Sequence, residues 1–245
     1  MNGLRGGRRL LGALMLAWPL LGLAQSPPQP EGRTYAPGRF DRIELAGIAQ
    51  VRLTQGERDQ VFVVGDSQVQ DSVDVSLSGN RLVIRPQGGW KFWTGPRLQV
   101  DIQVRRLHQL VLSGASDLIA QGPVQTDQLL INISGSGLAR FDDLQAERLS
   151  FVISGAGEGQ LRGRVRELQL SVSGKGKLSA GDLRAERALV TVSGVAHATL
   201  WATEALRVQA SGVGMVEYWG QPEVQRSASG IARLTPLGNK PGEAP

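Results

Sequence analysis

Seven Ser-Gly pairs recur down this chain at nearly constant spacing, and that recurrence leaves few folds open. They start at Ser113, Ser134, Ser154, Ser173, Ser193, Ser211 and Ser229, so successive pairs lie 21, 20, 19, 20, 18 and 18 residues apart. A period of this size marks a repeat architecture in which one small unit stacks on the next.

The pattern holds on both sides of each pair. One residue before the serines stand Leu112, Ile133, Ile153, Val172, Val192, Ala210 and Ala228; three before stand Leu110, Ile131, Phe151, Leu170, Val190, Val208 and Arg226. The positions between them, such as Asn132, Ser171, Thr191 and Gln209, are more polar. Period-two alternation of this kind belongs to a strand with one buried face. Three residues after each serine the side chain is always small: Ser116, Gly137, Gly157, Gly176, Ala196, Gly214 or Ala232. A second alternating segment follows, and then a turn that often carries Gly or Asp, as at Gly122, Asp143, Gly163, Asp182 and Gly220. Each unit therefore reads as strand, corner, strand and turn. One such unit cannot bury its apolar face alone, but units stacked in parallel at about 4.8 Å can. The expected fold is all-β, a parallel β-solenoid (β-helix-like) built from units of roughly 18–21 residues.

The corner glycines are Gly114, Gly135, Gly155, Gly174, Gly194, Gly212 and Gly230. Two needs are expected of them: a positive φ, and room where stacked backbones approach. The neighbouring serine hydroxyl can bond the local backbone. A catalytic reading of these serines fails on number, since seven equivalent serines cannot share two histidines.

The segment from Phe40 to Val104 repeats less cleanly. "IELAGIAQVRL" aligns with "VTVSGVAHATL", which sets Gly47 against Gly194 and Ala49 against Ala196 as a divergent first unit. Ser78-Gly79-Asn80 lies between two alternating runs and reads as a hairpin turn. Helix signals are nearly absent; "LQAERL" and "LRAERA" are short and are assigned to inter-unit turns.

The N-terminus has the form of a secretory signal. Arg5, Arg8 and Arg9 precede the apolar stretch "LLGALMLAWPLLGLA", and Gly22 and Ala24 are small residues before the expected cut. The stretch is interrupted by Pro19 and followed by a Pro-rich polar leader, so it is a poor transmembrane span. The expected organisation is a signal peptide over 1–24, a leader over 25–38, an irregular β part over 39–104, the solenoid over 105–236 and a flexible tail over 237–245. No membrane-spanning segment is expected after cleavage. The formal charge is +5, but three of those charges leave with the signal, and no Lys/Arg run with interleaved aromatics occurs. Nucleic acid is therefore not an expected partner. Cysteine is absent, which removes disulfides, thiolate metal sites and a lipoprotein anchor, so stability must come from packing and backbone pairing.

The recurring "SGSG", "SGAG", "SGKG" and "SGVG" corners, the early "FDRIELAGIAQVRLTQG" and the late "SGVGMVEYWGQP" resemble the bacterial auto-transporter adhesin head GIN domain family over roughly residues 39 to 235. The resemblance implies a β-solenoid-like exported protein with an adhesive role. It brings no catalytic residues with it.

The residues themselves offer little chemistry. His108 takes an inward slot in the first clear unit and is expected at the end of the stack; His197 falls in an outward phase. Neither has metal-ligand spacing, and no phosphate-binding or dinucleotide fingerprint occurs. No cofactor, metal site or catalytic residue is expected. Asp143 and Asp182 share a column two units apart, with Gly163 between them, and form the one carboxylate pair with the separation a glycosidase needs; Asp is also an ordinary turn residue. The aromatic side chains are concentrated. Trp201 and Trp219 fall in one column of adjacent units, and Trp90 and Trp93 share a loop. These four are candidate ligand-stacking residues, or else they cover the edge of the stack. The expected function is an exported cell-envelope binding or adhesion module without catalysis, in the periplasm or at the cell surface. Its partner would be an envelope polysaccharide or protein, and the sequence leaves its oligomeric state open. The alternatives are an extracellular polysaccharide-acting enzyme and a purely structural envelope protein.

Overall fold

The structure, a computed structural model, describes residues 31–87 and 97–241. The chain forms β1 (Gly32–Tyr35), β2 (Arg42–Gly47), β3 (Ala49–Gln55), β4 (Gln60–Val64), α1 (Ser67–Asp71), β5 (Val73–Ser78), β6 (Arg81–Pro86), β7 (Leu98–Val104), β8 (Gln109–Gly114) and β9 (Asp117–Ala120). The repeats supply β10 (Val124–Ile133), β11 (Leu138–Ile153), β12 (Glu158–Val172), β13 (Lys175–Val192), β14 (Val195–Ala210), β15 (Val213–Trp219), β16 (Glu223–Ala228) and β17 (Ile231–Gly238). Successive repeats pair in parallel register, for example Leu168↔Ala188, Leu170↔Val190 and Val172↔Val192, and build a β-solenoid of about six turns.

Each coil has three sides rather than two strands and a turn. In β13, Gly176, Leu178 and Ala180 point inward on the first side, Leu183 and Ala185 on a short second side, and Ala188, Val190 and Val192 on the third. The second side holds the stretches assigned to turns from sequence. "LQAERL" and "LRAERA" are strand there, paired through Ala146↔Val165 and Val165↔Ala185. Their helix-forming residues are overridden because Leu144, Leu183 and Ala185 close the core on that side.

Six of the seven Ser-Gly corner glycines do not have the left-handed conformation expected of them; only Gly114 does, at φ 111°. The positive values occur instead where the chain turns onto the second side, at Gly122 (87°), Gly163 (125°) and Gly220 (97°). What the corner demands is space. A Cβ on Gly114, Gly135, Gly155, Gly174, Gly194, Gly212 or Gly230 would run into the carbonyl oxygen of the glycine one coil earlier, in a column that begins at Gly47. Those carbonyls are already engaged: Lys175 N–H donates to Gly155 O at 2.9 Å, and Val195 N–H to Gly174 O at 2.8 Å. The serine hydroxyls bond the previous coil rather than their own turn, as from Ser113 to Leu45 O at 3.2 Å.

Below the repeats the divergent unit continues the stack, with Gly47↔Gly114 and Val51↔Leu118 in parallel register. Antiparallel elements then close that end: β4 pairs β7 and β1, and β5 pairs β6 across the two-residue turn Gly79-Asn80. Among the described residues the other end has no such cover. All of β16 is exposed, and Ile231 is 77% exposed. An inward-pointing Arg226 crosses this open end and donates to Ala232 O at 2.6 Å, while Pro236 sits on the edge strand β17. An inward charge and an edge proline are both devices against further strand addition. β17 runs to Gly238, past the Pro236 boundary expected for the repeats. Among the described residues α1 is the one helix, and no helix there is long and apolar enough to cross a membrane.

Candidate functional site

The turn onto the second side brings together the residues with the most chemistry. Trp201 on β14 stands directly against Trp219 on β15. Both rings are half-buried at the corner. Gly181 lies beside the Trp219 ring, where a Cβ would sit 3.4 Å from Trp219 Nε1. At the end of β17 the chain keeps its 18-residue stacking on the coil before. Gly220 N–H donates to Gly238 O at 2.9 Å, and Gln221 Nε2 donates to Asn239 Oδ1 at 2.9 Å. This places the Lys240 ammonium 5.2 Å from the Trp219 ring centre and 6.0 Å from that of Trp201, both within cation–π range. Lys240 Nζ also donates to Asp182 Oδ1 at 2.7 Å, and that hydrogen bond holds the Asp182 carboxyl below its ordinary pKa. Lys240 is therefore pinned, although sequence reasoning places it in a flexible tail. The Trp201 indole N–H is buried without a hydrogen-bond partner. Trp90 and Trp93 lie outside the described residues.

Asp143 and Asp182, the two carboxylates that share a column, each have a partner of their own. Asp182 stands in register with Arg162, whose Nε lies 3.6 Å from Asp182 Oδ2, so Arg162 rather than Gly163 separates the two acids. Asp143 accepts from Gln145 Nε2 at 3.4 Å. Each acid thus has its own partner, which is the pattern of turn chemistry. His108 keeps its place in the column, one residue before the Gln109↔Leu130 pair, but its side chain is partly exposed, with Nδ1 3.4 Å from Asp41 Oδ2. His197 stays outward, 3.6 Å from Glu217.

Sequence reasoning missed a groove of about 430 Å³ running along the stack where the second side bends into the third. One wall is the outward column six residues before the serines, with Arg148↔Glu167 and Glu167↔Arg187 paired across coils. Arg187 donates to Glu167 at 3.1 Å and to Glu204 at 3.0 Å, and the hydrogen bond to Glu167 raises its pKa. The other wall carries Gln169, Arg207 and Gln225; Arg207 donates to Gln225 Oε1 at 2.8 Å. The backbone at Leu149, Leu168, Ala188 and Leu206, whose side chains point into the core, runs beneath the groove. The Gln-Arg-Glu-Arg succession at that column is visible in sequence, but alternating charge on an outward face normally marks only a solvated surface. The concavity that gives it meaning comes from the bend.

A family model described as "Putative auto-transporter adhesin, head GIN domain" matches residues 39–222. The crystal structure of a "putative adhesin" from Bacteroides fragilis NCTC 9343 is similar, with a TM-score of 0.80 at 23% identity over 86% of this chain and 98% of that one. A "putative lipid binding protein" from Parabacteroides distasonis ATCC 8503 gives 0.68 at 21% identity over 85% and 96% of the two chains. A "putative adhesin" from Parabacteroides merdae ATCC 43184 gives 0.66 at 19% identity over 84% and 95%. At these identities the likeness is one of fold. No curated protein matches the chain.

Proposed function

The chain belongs to the auto-transporter adhesin head GIN domain family, and on that premise we propose that it is an exported, non-catalytic binding module of the cell envelope whose ligand is an extended polysaccharide. The observation that carries this reading is the axial groove. It runs along the stack, with Arg148, Glu167 and Arg187 alternating on one wall and Gln169, Arg207 and Gln225 on the other. Such a lining offers donors and acceptors at each coil without a dominant charge. It suits a chain of hydroxyl-bearing units that repeat along the groove better than a single small molecule.

Export is part of the proposal and rests on the Arg-rich start, the apolar stretch and the small residues before Gln25. N-terminal sequencing of the exported protein should begin near Gln25; recovery of Met1 would defeat it. For the ligand, the protein is screened on a glycan array beside an Arg148→Ala/Arg187→Ala variant. Retention of an extended polysaccharide by the parent and its loss in the variant supports the groove. Retention of none favours a purely structural envelope protein, and shortening of a retained polymer favours the enzyme reading.

A further inference from the structure

We infer that the corner formed by Trp201, Trp219 and Asp182 is a binding site for a primary ammonium group carried on a polar body, of the kind an amino sugar presents, and that Lys240 occupies it as an internal stand-in. The inference concerns a different surface from the axial groove and does not depend on it.

The first support is the chemistry of the occupant. An ammonium facing two indole rings and a carboxylate is how proteins recognise organic cations. Here Lys240 Nζ is 5.2 Å from Trp219 and 2.7 Å from Asp182 Oδ1. The second is that the carboxylate remains reachable. The Asp182 side chain is 54% exposed, and Arg162 lies 3.6 Å from its other oxygen, leaving Oδ1 for a donor. The third is the adjoining space. A pocket of about 320 Å³ opens from Asp182; beside the ion-paired Arg140–Asp142 and Arg162 it is lined by Gln160, Ser179, Gly181 and Thr199, a polar surface able to take the hydroxyls of a ring. The fourth is where Lys240 comes from. It lies beyond β17, outside the ladder, held by a surface hydrogen bond from Gln221 to Asn239. A side chain tethered in this way can leave without unpairing a strand.

The hydrogen bond to Asp182 sets the ligand class. A primary ammonium can donate it; a quaternary ammonium or an acetylated amine cannot supply both charge and donor. Self-occupancy by Lys240 lowers the apparent affinity of any competing ligand by the fraction of time the site is filled.

The test uses the full chain carrying Lys240→Ala, with Lys240→Gln as a second vacating variant, followed by tryptophan fluorescence during titration with glucosamine, N-acetylglucosamine and lysine amide. A saturable response to glucosamine in both variants is expected, about tenfold or more tighter than in the parent. N-acetylglucosamine should give none, and adding Asp182→Asn should abolish the glucosamine response. Folding is checked by melting each variant. An equal response to glucosamine and N-acetylglucosamine, or no saturable response in a variant that melts like the parent, overturns the inference. Binding of lysine amide without glucosamine overturns the amino-sugar assignment.

Discussion

Gly174 lies directly over Gly155, so close that a β-carbon on the upper residue would collide with the carbonyl oxygen of the lower one. That oxygen accepts the Lys175 N–H at 2.9 Å, so it cannot move aside without breaking the corner ladder. Gly174→Val should therefore cost at least the roughly 1–3 kcal/mol of an overpacked core site. Lys175→Val should be nearly neutral, because Lys175 is exposed and Val195 and Val213 hold the equivalent place in later coils. Thermal melts of the two variants check this; equal midpoints would show that the corner tolerates a side chain.

Trp219 packs on Trp201 and under Lys240 while remaining half-exposed. Trp219→Ala should lower stability by roughly half of the ~3–5 kcal/mol typical of a buried tryptophan. Urea denaturation measures it. A parental midpoint would mean that the ring contributes nothing to holding the last coils.

The Asp182–Lys240 pair should give a small pH-dependent term. The folded carboxyl has a depressed pKa, so its contribution is complete above the unfolded value of about 3.9 and is lost as pH falls through the folded value. Because the carboxylate is half exposed, the contribution should stay under about 1 kcal/mol. Melting of the parent and Asp182→Asn should differ slightly at pH 7 and converge as pH falls below the folded value. A difference that grew on acidification would reverse the assignment.

Arg187→Ala should leave the melting temperature close to that of the parent, since its pairs with Glu167 and Glu204 are exposed. Polysaccharide retention should fall if the groove is the binding surface. A variant that melts much earlier than the parent would mean that the ladder is structural.

Arg226→Val should convert the open end into an adhesive one. The arginine is the only charge pointing inward at the last coil among the described residues of β16 and β17, and its loss leaves Val224, Ala228 and Leu234 with no polar cover. Concentration-dependent self-association by sedimentation is the expected result. A variant that stays as the parent at every concentration would show that edge geometry alone protects the end.

The sequence by itself determined the repeat, the inward columns and their parallel stacking. Each follows from local alternation around a fixed corner, and a one-residue slip would turn every apolar side chain outward. It also determined that Gly47 begins the glycine column and that Gly79-Asn80 turns a hairpin. It offered two reasons for glycine at the corner, a positive φ and room where stacked backbones approach, and could not choose between them; the carbonyl one coil earlier in the chain decides for room. The third side was hidden for a related reason. "LQAERL" and "LRAERA" carry helix-forming residues, and only the need to close the core between Leu161 and Leu168, or between Ala180 and Ala188, makes them strand. The axial groove and the Lys240 contact likewise exist only after the coils stack. The first is the concave side of a backbone bend. The second joins Lys240 to Asp182 across 58 residues, a side-chain reach down several coils that the alternation pattern does not record.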